Sequence, residues 1–521
     1  MKTIDRVAPW AALLASLISY AGRLYYDPAR PSGDFIGWWG WFDQGQYIRA
    51  ARAWSDGVLT SAEHWYLPGY PMLAAPFVRL FPTDPFTVAD VLCLAVATLA
   101  FCALAQRLLN RPGAATLGAV GWVVTVAFSE LGMRVWVEPW TTTPTTVLTF
   151  LSLLLLLRII DRPSTRDAAL LGLTASCVLL FRPTDAAVLL AVTGLWAAAI
   201  VTSRRDWYSA LAGVAGAGIG LALFAGLYFS IYGWTRSQYL AGSADVGFEW
   251  HLLWLRWVTL VVDPAPLVPN EIGLAQAFWW VIPGIMGSAA CLVVTRGTTW
   301  LRHAAVIAFM TVHLLVYLVY RDLHPQGLMR FHNYHYMKPL LPLLGLYATL
   351  LVVVPIQSRA RTAGWAVAAC AGLLFCWRAE FVPDGRTALV TGPHTLVLPY
   401  GIGPLDGAVR VTAKEAFTET YLGEYAMEAG GARWGSNTSV KAEPIPGGFL
   451  FIALRPLPGG PATVQFPPKV LLSDTPPPAM GRQRVVFTPP FHWGWPDRAA
   501  ERFRKWRART LSDQAASPGR K

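Results

Sequence analysis

The sequence predicts an α-helical polytopic membrane protein of about 11 transmembrane helices, ending in a small β-containing domain on the extracytoplasmic side. Three observations predict it. Hydrophobic residues make up 54% of the 521-residue chain and charged residues only 14%, where a soluble domain carries about 25% charge, and the mean hydropathy is +0.40. Apolar stretches near the length that crosses a bilayer, about 20 residues, recur along the first two thirds of the chain. Alternate short connections between those stretches are basic, as the positive-inside rule requires of cytoplasmic loops.

The elements follow in order. Lys2 and Arg6 precede an apolar run from Val7 to Tyr20 with no small-residue cleavage site after it, which reads as an uncleaved signal anchor. Spans are expected near 7–26, 87–109, 114–131, 143–160, 168–182, 185–202, 208–231, 275–295, 301–320, 338–356 and 361–378. The fifth is short, and Arg182-Pro183 breaks or ends it. With the N-terminus inside, the even-numbered turns carry Arg107 and Arg111; Arg158, Arg162 and Arg166; Arg204 and Arg205; Arg296 and Arg302; and Arg359 and Arg361. Gly216 and Gly220, spaced small-xxx-small in the seventh span, suit close helix packing.

The long segments then share the other face: the first loop (27–86), a loop near 232–274, the segment 321–337 and the C-terminal part. Residues 1–378 therefore form a transmembrane domain and residues 379–521 an extracytoplasmic domain with a basic tail. In the latter, β-prone runs (Thr387–Leu398, Phe449–Leu454, Val464–Phe466, Val485–Phe487) alternate with Pro and Gly punctuation, the pattern of short strands. The tail at Arg498–Arg509 is basic and aromatic and reads as a headgroup-touching segment.

Composition also excludes classes. The net charge of +12 lies in loops between apolar segments, not in one stripe, so nucleic acid is not the partner. The cysteines Cys93, Cys102, Cys177, Cys291, Cys370 and Cys376 all lie in apolar segments, where a thiol behaves as a small hydrophobe; neither a disulfide framework nor a cysteine metal site is indicated.

The chemistry-bearing residues gather on the extracytoplasmic side. Asp43 follows the aromatic run Trp38–Phe42 and precedes the amphipathic run Tyr47–Trp54. It reads either as a carboxylate at a helix N-terminus or, desolvated by its aromatic neighbours, as a general base. Asp34 is its local rival. His64, Tyr66 and the Pro68–Pro71 turn cannot be helical throughout, so this stretch turns back at the bilayer surface. It serves as an interfacial anchor or as a rim placing His64 or Tyr66 opposite Asp43. Glu138, close to the hydrocarbon, is a functional candidate by its cost alone, and Arg182 is its cationic counterpart; an ion pair between them competes with ligand contact. Arg321, His324, Arg330, His332, His335 and Lys338 crowd one outer segment, where phosphate recognition by Arg forks and a Lys point charge is favoured over metal binding.

Taken in order, these positions resemble the GT-C superfamily of polytopic glycosyltransferases that use polyprenyl-phosphate-linked sugars, such as protein O-mannosyltransferases, aminoarabinose transferases and bacterial polyprenyl-phosphomannose-dependent mannosyltransferases. The matching positions are Asp43 with Tyr47, Ala50 and Ala51; Tyr66-Leu67-Pro68-Gly69-Tyr70-Pro71; Glu138-Pro139; Arg182-Pro183; and Tyr336-Met337-Lys338-Pro339. The likeness covers roughly residues 7–356, and the order of the motifs is more specific than any one of them. It departs from the family where many relatives carry a paired acidic motif and this chain has Asp43-Gln44, and where His64 stands near a second acid of some relatives. A divalent metal is therefore left open, and no other cofactor is expected.

The resemblance implies a mannosyltransferase-like hexosyltransferase of the bacterial inner membrane, with its site on the extracytoplasmic face among membrane lipids. Asp43 would deprotonate an acceptor hydroxyl of a glycan, lipid or protein, with inversion. Arg330, His332, His335 or Lys338 would meet the leaving polyprenyl phosphate, and His64, Tyr66, Glu138 and Arg182 would contact substrate. The competing classes are a lipid-linked sugar transporter or flippase, which would spread polar residues through the midplane, and an O-antigen ligase or polymerase.

Overall fold

The structure, a computed structural model, describes residues 2–26, 42–248, 250, 253–264, 272–320, 323, 332–357, 360–387, 389–398, 408–412, 426–429, 432–435, 440–445, 448–453, 462–465 and 481–488. Asp34, Trp38–Trp41, Arg321, His324, Arg330 and the basic tail lie outside them. The first ten helices are α1 (Lys2–Tyr26), α2 (Phe42–Ser55), α3 (Gly69–Ala74), α4 (Phe86–Leu109), α5 (Ala114–Trp122), α6 (Glu130–Val137), α7 (Thr142–Asp161), α8 (Thr165–Cys177), α9 (Pro183–Ser203) and α10 (Trp207–Tyr232). They are followed by α11 (Gln238–Val246), α12 (Leu253–Arg256), α13 (Leu274–Ala277), α14 (Val281–Val294), α15 (Gly297–Val319), α16 (Leu340–Gln357) and α17 (Arg361–Gly372).

Among the described residues, six helices (α1, α4, α7, α9, α10 and α15) are long and apolar enough to cross a membrane. A seventh crossing arises if α5 and α6, bent by 78° at their junction, count as one span. The bend has a local cause. The α5 helix loosens into a π-turn over Val123–Ala127, and Ser129 then caps a new helix by accepting the Gly132 N–H at 3.0 Å, as serine favours at an N-cap. Apolar helical stretches at Leu253–Val262, Val281–Val294, Leu340–Val353 and Arg361–Cys376 are shorter. The segments expected near 275–295, 338–356 and 361–378 fall on short helices of this kind and that near 168–182 on α8, 13 residues long, so length and composition do not by themselves give 11 crossings.

The chain divides into two compact units: Met1–Gly242 with Phe278–Val316 and Tyr334–Gly372, and Ser243–Ala277 with Tyr317–Asn333 and Leu373–Lys521. The first is helical. Its aromatic core stacks Phe101, Trp122, Trp136 and Phe150, with ring centroids 5.3–6.1 Å apart. Elsewhere its helices close on glycine: a methyl on Gly216 would run into the Ala169 carbonyl, and one on Gly287 into the Tyr347 carbonyl. Such close backbone approach is how helices associate where lipid offers no hydrophobic driving force. At the C-terminal end of α7, Asp161 pairs with Arg107 at 2.5 Å and with Arg302, while Arg204 donates to the Ile160 carbonyl at 2.9 Å. Residues from four even-numbered turns thus meet at that end, where cations also complement the helix dipole.

In the second unit, strands β1 (Arg378–Thr387), β2 (Leu389–Gly392), β3 (Thr395–Leu398), β4 (Ala408–Thr412), β5 (Ala426–Ala429), β6 (Ala432–Gly435), β7 (Val440–Ile445), β8 (Gly448–Ala453), β9 (Ala462–Gln465) and β10 (Gly481–Thr488) occur. They pair as two antiparallel five-stranded sheets, ordered β1-β10-β4-β8-β7 and β2-β3-β9-β5-β6. Arg256, wholly buried, donates to the Leu318 and Tyr320 carbonyls, which is how this unit accommodates a buried guanidinium.

Candidate functional site

The site starts on α2. A carboxylate in the first turn of a helix meets the positive end of the dipole, and Asp43 occupies that turn. Behind it Gln44, Tyr47, Ile48, Ala50 and Ala51 are buried. The chain leaves α2 through a turn at Asp56 and Gly57, with φ +72° at Gly57, and runs back toward its start; Pro68 then caps α3. Gly69 is required there, because a Cβ would sit 2.7 Å from the Leu180 carbonyl.

This return brings Tyr66 onto Asp43: the phenol donates to Oδ1 at 2.6 Å. Tyr66 is itself held in place. Its carbonyl accepts from the Tyr232 hydroxyl at 2.6 Å, and its ring lies 4.8 Å from that of Tyr47 and 5.0 Å from that of Tyr239. Burial, and then the neighbouring Asp43 charge, hold the Tyr66 hydroxyl well above the ordinary phenol range, so it stays protonated and donating. Tyr47 is displaced the same way for the same leading reasons, while Arg182 and a hydrogen bond with Thr141 pull in the other direction. The Tyr47 hydroxyl thus responds to both the Asp43 carboxylate and the Arg182 guanidinium.

The cationic side is organised by three consecutive threonines at the N-terminal end of α7. Arg182 donates from Nη1 to Thr141 Oγ1 at 3.1 Å, His335 Nδ1 lies 3.2 Å from Thr142 Oγ1, and Lys338 Nζ donates to Thr143 Oγ1 at 2.6 Å. All three basic residues and all three threonines are buried. Arg182 also pairs with Asp185 at 3.2 Å and lies over the Tyr336 ring at 4.6 Å. His335 stacks parallel on Trp140 at 3.8 Å, and Lys338 sits 5.0 Å over Trp136, a cation–π contact. A helix N-terminus with converging cations is an arrangement suited to an anion.

Glu138 and Arg182 each take other partners. Glu138 receives Arg134 Nε at 2.6 Å and Trp140 Nε1 at 3.3 Å. It thereby shapes the loop that carries Trp140, and Gln44 joins the same loop by donating to the Pro139 carbonyl at 3.2 Å. His64 is fully buried, donates from Nδ1 to the Thr60 carbonyl at 2.9 Å and packs edge-on to Trp54. Burial pushes its pKa below the ordinary histidine value, so the ring is neutral. His332 is buried with φ +54° and belongs to the second unit; Arg330 is outside the described residues.

Reasoning from sequence missed Thr141, Thr142, Thr143 and Asp185. The available signal was the run TTTPTT opening an apolar span, three hydroxyls where a helix must leave its first N–H groups unsatisfied.

Next to Asp43, Gln44 turns its amide N–H onto a carbonyl, and among the described residues no three His, Cys, Asp or Glu gather as metal ligands would. Compared with known proteins, the chain matches no protein-family model and no curated protein.

Proposed function

We propose that the protein is an inverting glycosyltransferase that moves a sugar from a polyprenyl phosphate to an acceptor hydroxyl at the extracytoplasmic surface of the bacterial inner membrane. The observation that carries the reading is that α2 brings the Asp43 carboxylate, held by Tyr66, to the loop at Pro139 through Gln44, and that this loop leads directly into the threonines on which Arg182, His335 and Lys338 converge. In it Asp43 removes the acceptor proton as the acceptor oxygen bonds to the anomeric carbon. The bond from that carbon to the phosphate oxygen breaks with its electron pair, and polyprenyl phosphate leaves.

Arg182, His335, Lys338 and the α7 N-terminus stabilise the charge that develops on the phosphate, an electrostatic role that acts where water is excluded. A single base with no covalent intermediate gives inversion, by the two-carboxylate logic of glycosidases. Tyr66 holds the Asp43 carboxylate in place. Glu138 and Gln44 set the loop between the two sides, and His64 anchors the chain leading to Tyr66. The complete fold under this reading has eleven crossings, α8, α14, α16 and α17 included, with the C-terminal domain outside.

The deciding experiment incubates the purified protein with a panel of polyprenyl-phosphate sugars and measures released polyprenyl phosphate. Release above the no-enzyme rate supports the proposal. Movement of intact donor across vesicles without release would replace it with the flippase reading.

A further inference from the structure

An open groove of about 760 Å³ runs along α2, lined by Phe42, Gly45, Gln46, Arg49, Arg52, Ala53, Asp56, Val58 and Glu63. At about 100° per residue, Gln46 lies roughly 60° from Asp43 around the helix, and Tyr47 about 40° to the opposite side. Asp43 itself does not line the groove, which is reached past its neighbours Phe42 and Gln46; Gln44, about 100° round α2 on the other side, faces the Pro139 loop that leads to the threonines, so the groove opens on the flank away from the cation cluster. In an inverting displacement the leaving phosphate and the attacking hydroxyl lie on opposite faces of the anomeric carbon. The base belongs with the hydroxyl, so the groove lies on the acceptor's side.

Its chemistry narrows the acceptor. Arg49 and Arg52 are balanced by Asp56 and Glu63, so the groove has no net charge to select an anionic headgroup or a charged peptide. Arg49 is fixed by a bidentate pair with Glu63 at 2.6 and 2.8 Å, giving a preset donor and acceptor array. Gln46 adds one donor–acceptor pair. At the mouth, half-exposed Phe42 is braced edge-on by Trp65, with ring centroids 5.2 Å apart, leaving an aromatic face for C–H groups. Closely spaced donors and acceptors of both kinds, with one aromatic platform, match a polyhydroxylated and uncharged ligand. We infer that this groove is the acceptor site and that the acceptor is a neutral oligosaccharide. The inference rests on Asp43 being the base.

The test photolabels the full-length protein in detergent with a diazirine-tagged mixture of neutral tetrasaccharides. A tagged neutral peptide and a tagged phospholipid serve as comparisons. The saccharide label should fall within residues 42–63 and be competed by untagged saccharide. It should drop roughly five- to tenfold in Gln46→Ala and in Asp56→Ala, the loss expected for one hydrogen bond, with unchanged melting. It should persist in Asp43→Asn. Peptide or phospholipid labelling of 42–63 in place of saccharide, saccharide labelling elsewhere or nowhere, or labelling indifferent to both variants overturns the inference. Because labelling needs no turnover, the two ideas fail separately. A labelled groove on a protein that releases no polyprenyl phosphate sinks the transferase reading, and release without groove labelling sinks the groove.

Discussion

Asp43 and Tyr66 are 23 positions apart in sequence and 2.6 Å apart in space, and the reversal of the chain after α2, at Asp56 and Gly57, is what joins them. Both were legible in the sequence, because an acid beside a run of tryptophans and a Pro-Gly-Tyr-Pro turn each have few uses at a membrane surface. The contact of the neighbouring Gln44 was not, since nothing in a lone glutamine reveals a carbonyl 95 positions away. General-base catalysis is worth about 10²- to 10⁴-fold, so Asp43→Asn should reduce polyprenyl phosphate release by that order while leaving expression and melting intact. Asp34→Asn should change release much less; the reverse pattern would move the base. His64 offers a pH signature. Its folded pKa lies below the unfolded value of about 6.5, so the unfolded chain binds the extra proton first as pH falls. Stability contributed by neutral, buried His64 is thus present above about pH 6.5 and is lost between there and the lower folded pKa. Melting across that window should show a decline that His64→Gln flattens.

The elements carry the parts of the site that reading by residue missed. Threonines 141–143 look like ordinary span residues until α7 begins at that point and presents them to cations from two other segments. Thr143→Val keeps shape and removes the oxygen that Lys338 contacts at 2.6 Å. If Lys338 is placed this way for the phosphate, the apparent donor affinity should weaken about tenfold, within the range for a hydrogen bond to a charged group. An unchanged donor affinity would remove Lys338 from the phosphate site. Span count was the least legible feature, because π-turns and short helices interrupt stretches whose hydropathy is continuous. Helix contact was legible in one place, the Gly216 and Gly220 spacing on α10. A methyl at Gly216 already meets the Ala169 backbone, and one at Gly220 meets Ser176. Gly216→Leu should therefore separate α8 from α10 and cost about 1–3 kcal/mol, read as a lower melting temperature in detergent. A neutral outcome would mean that the two helices are not tightly packed in the membrane.

On the scale of the whole molecule, the orientation in the membrane follows from α7. Its first turn holds the threonines that meet Arg182, His335 and Lys338, and its last residue, Asp161, meets Arg107 and Arg302. Twenty residues of helix rise about 30 Å, the thickness of the hydrocarbon core, so an α7 that crosses the bilayer would put the two clusters at opposite surfaces. The cations around Asp161 belong to short turns and obey the positive-inside rule; those at the threonines do not and need another reason to be there. If the basic turns are cytoplasmic, the N-terminus is cytoplasmic too. With the eleven crossings proposed above, the chain beyond Ala379 then lies outside. A single cysteine at Ser473, in a chain whose six native cysteines are replaced by serine or alanine, decides this. A membrane-impermeant maleimide added to intact spheroplasts should label it without lysis. Labelling only after lysis would place the C-terminal part in the cytoplasm, and with it would go the extracytoplasmic donor chemistry proposed for Asp43.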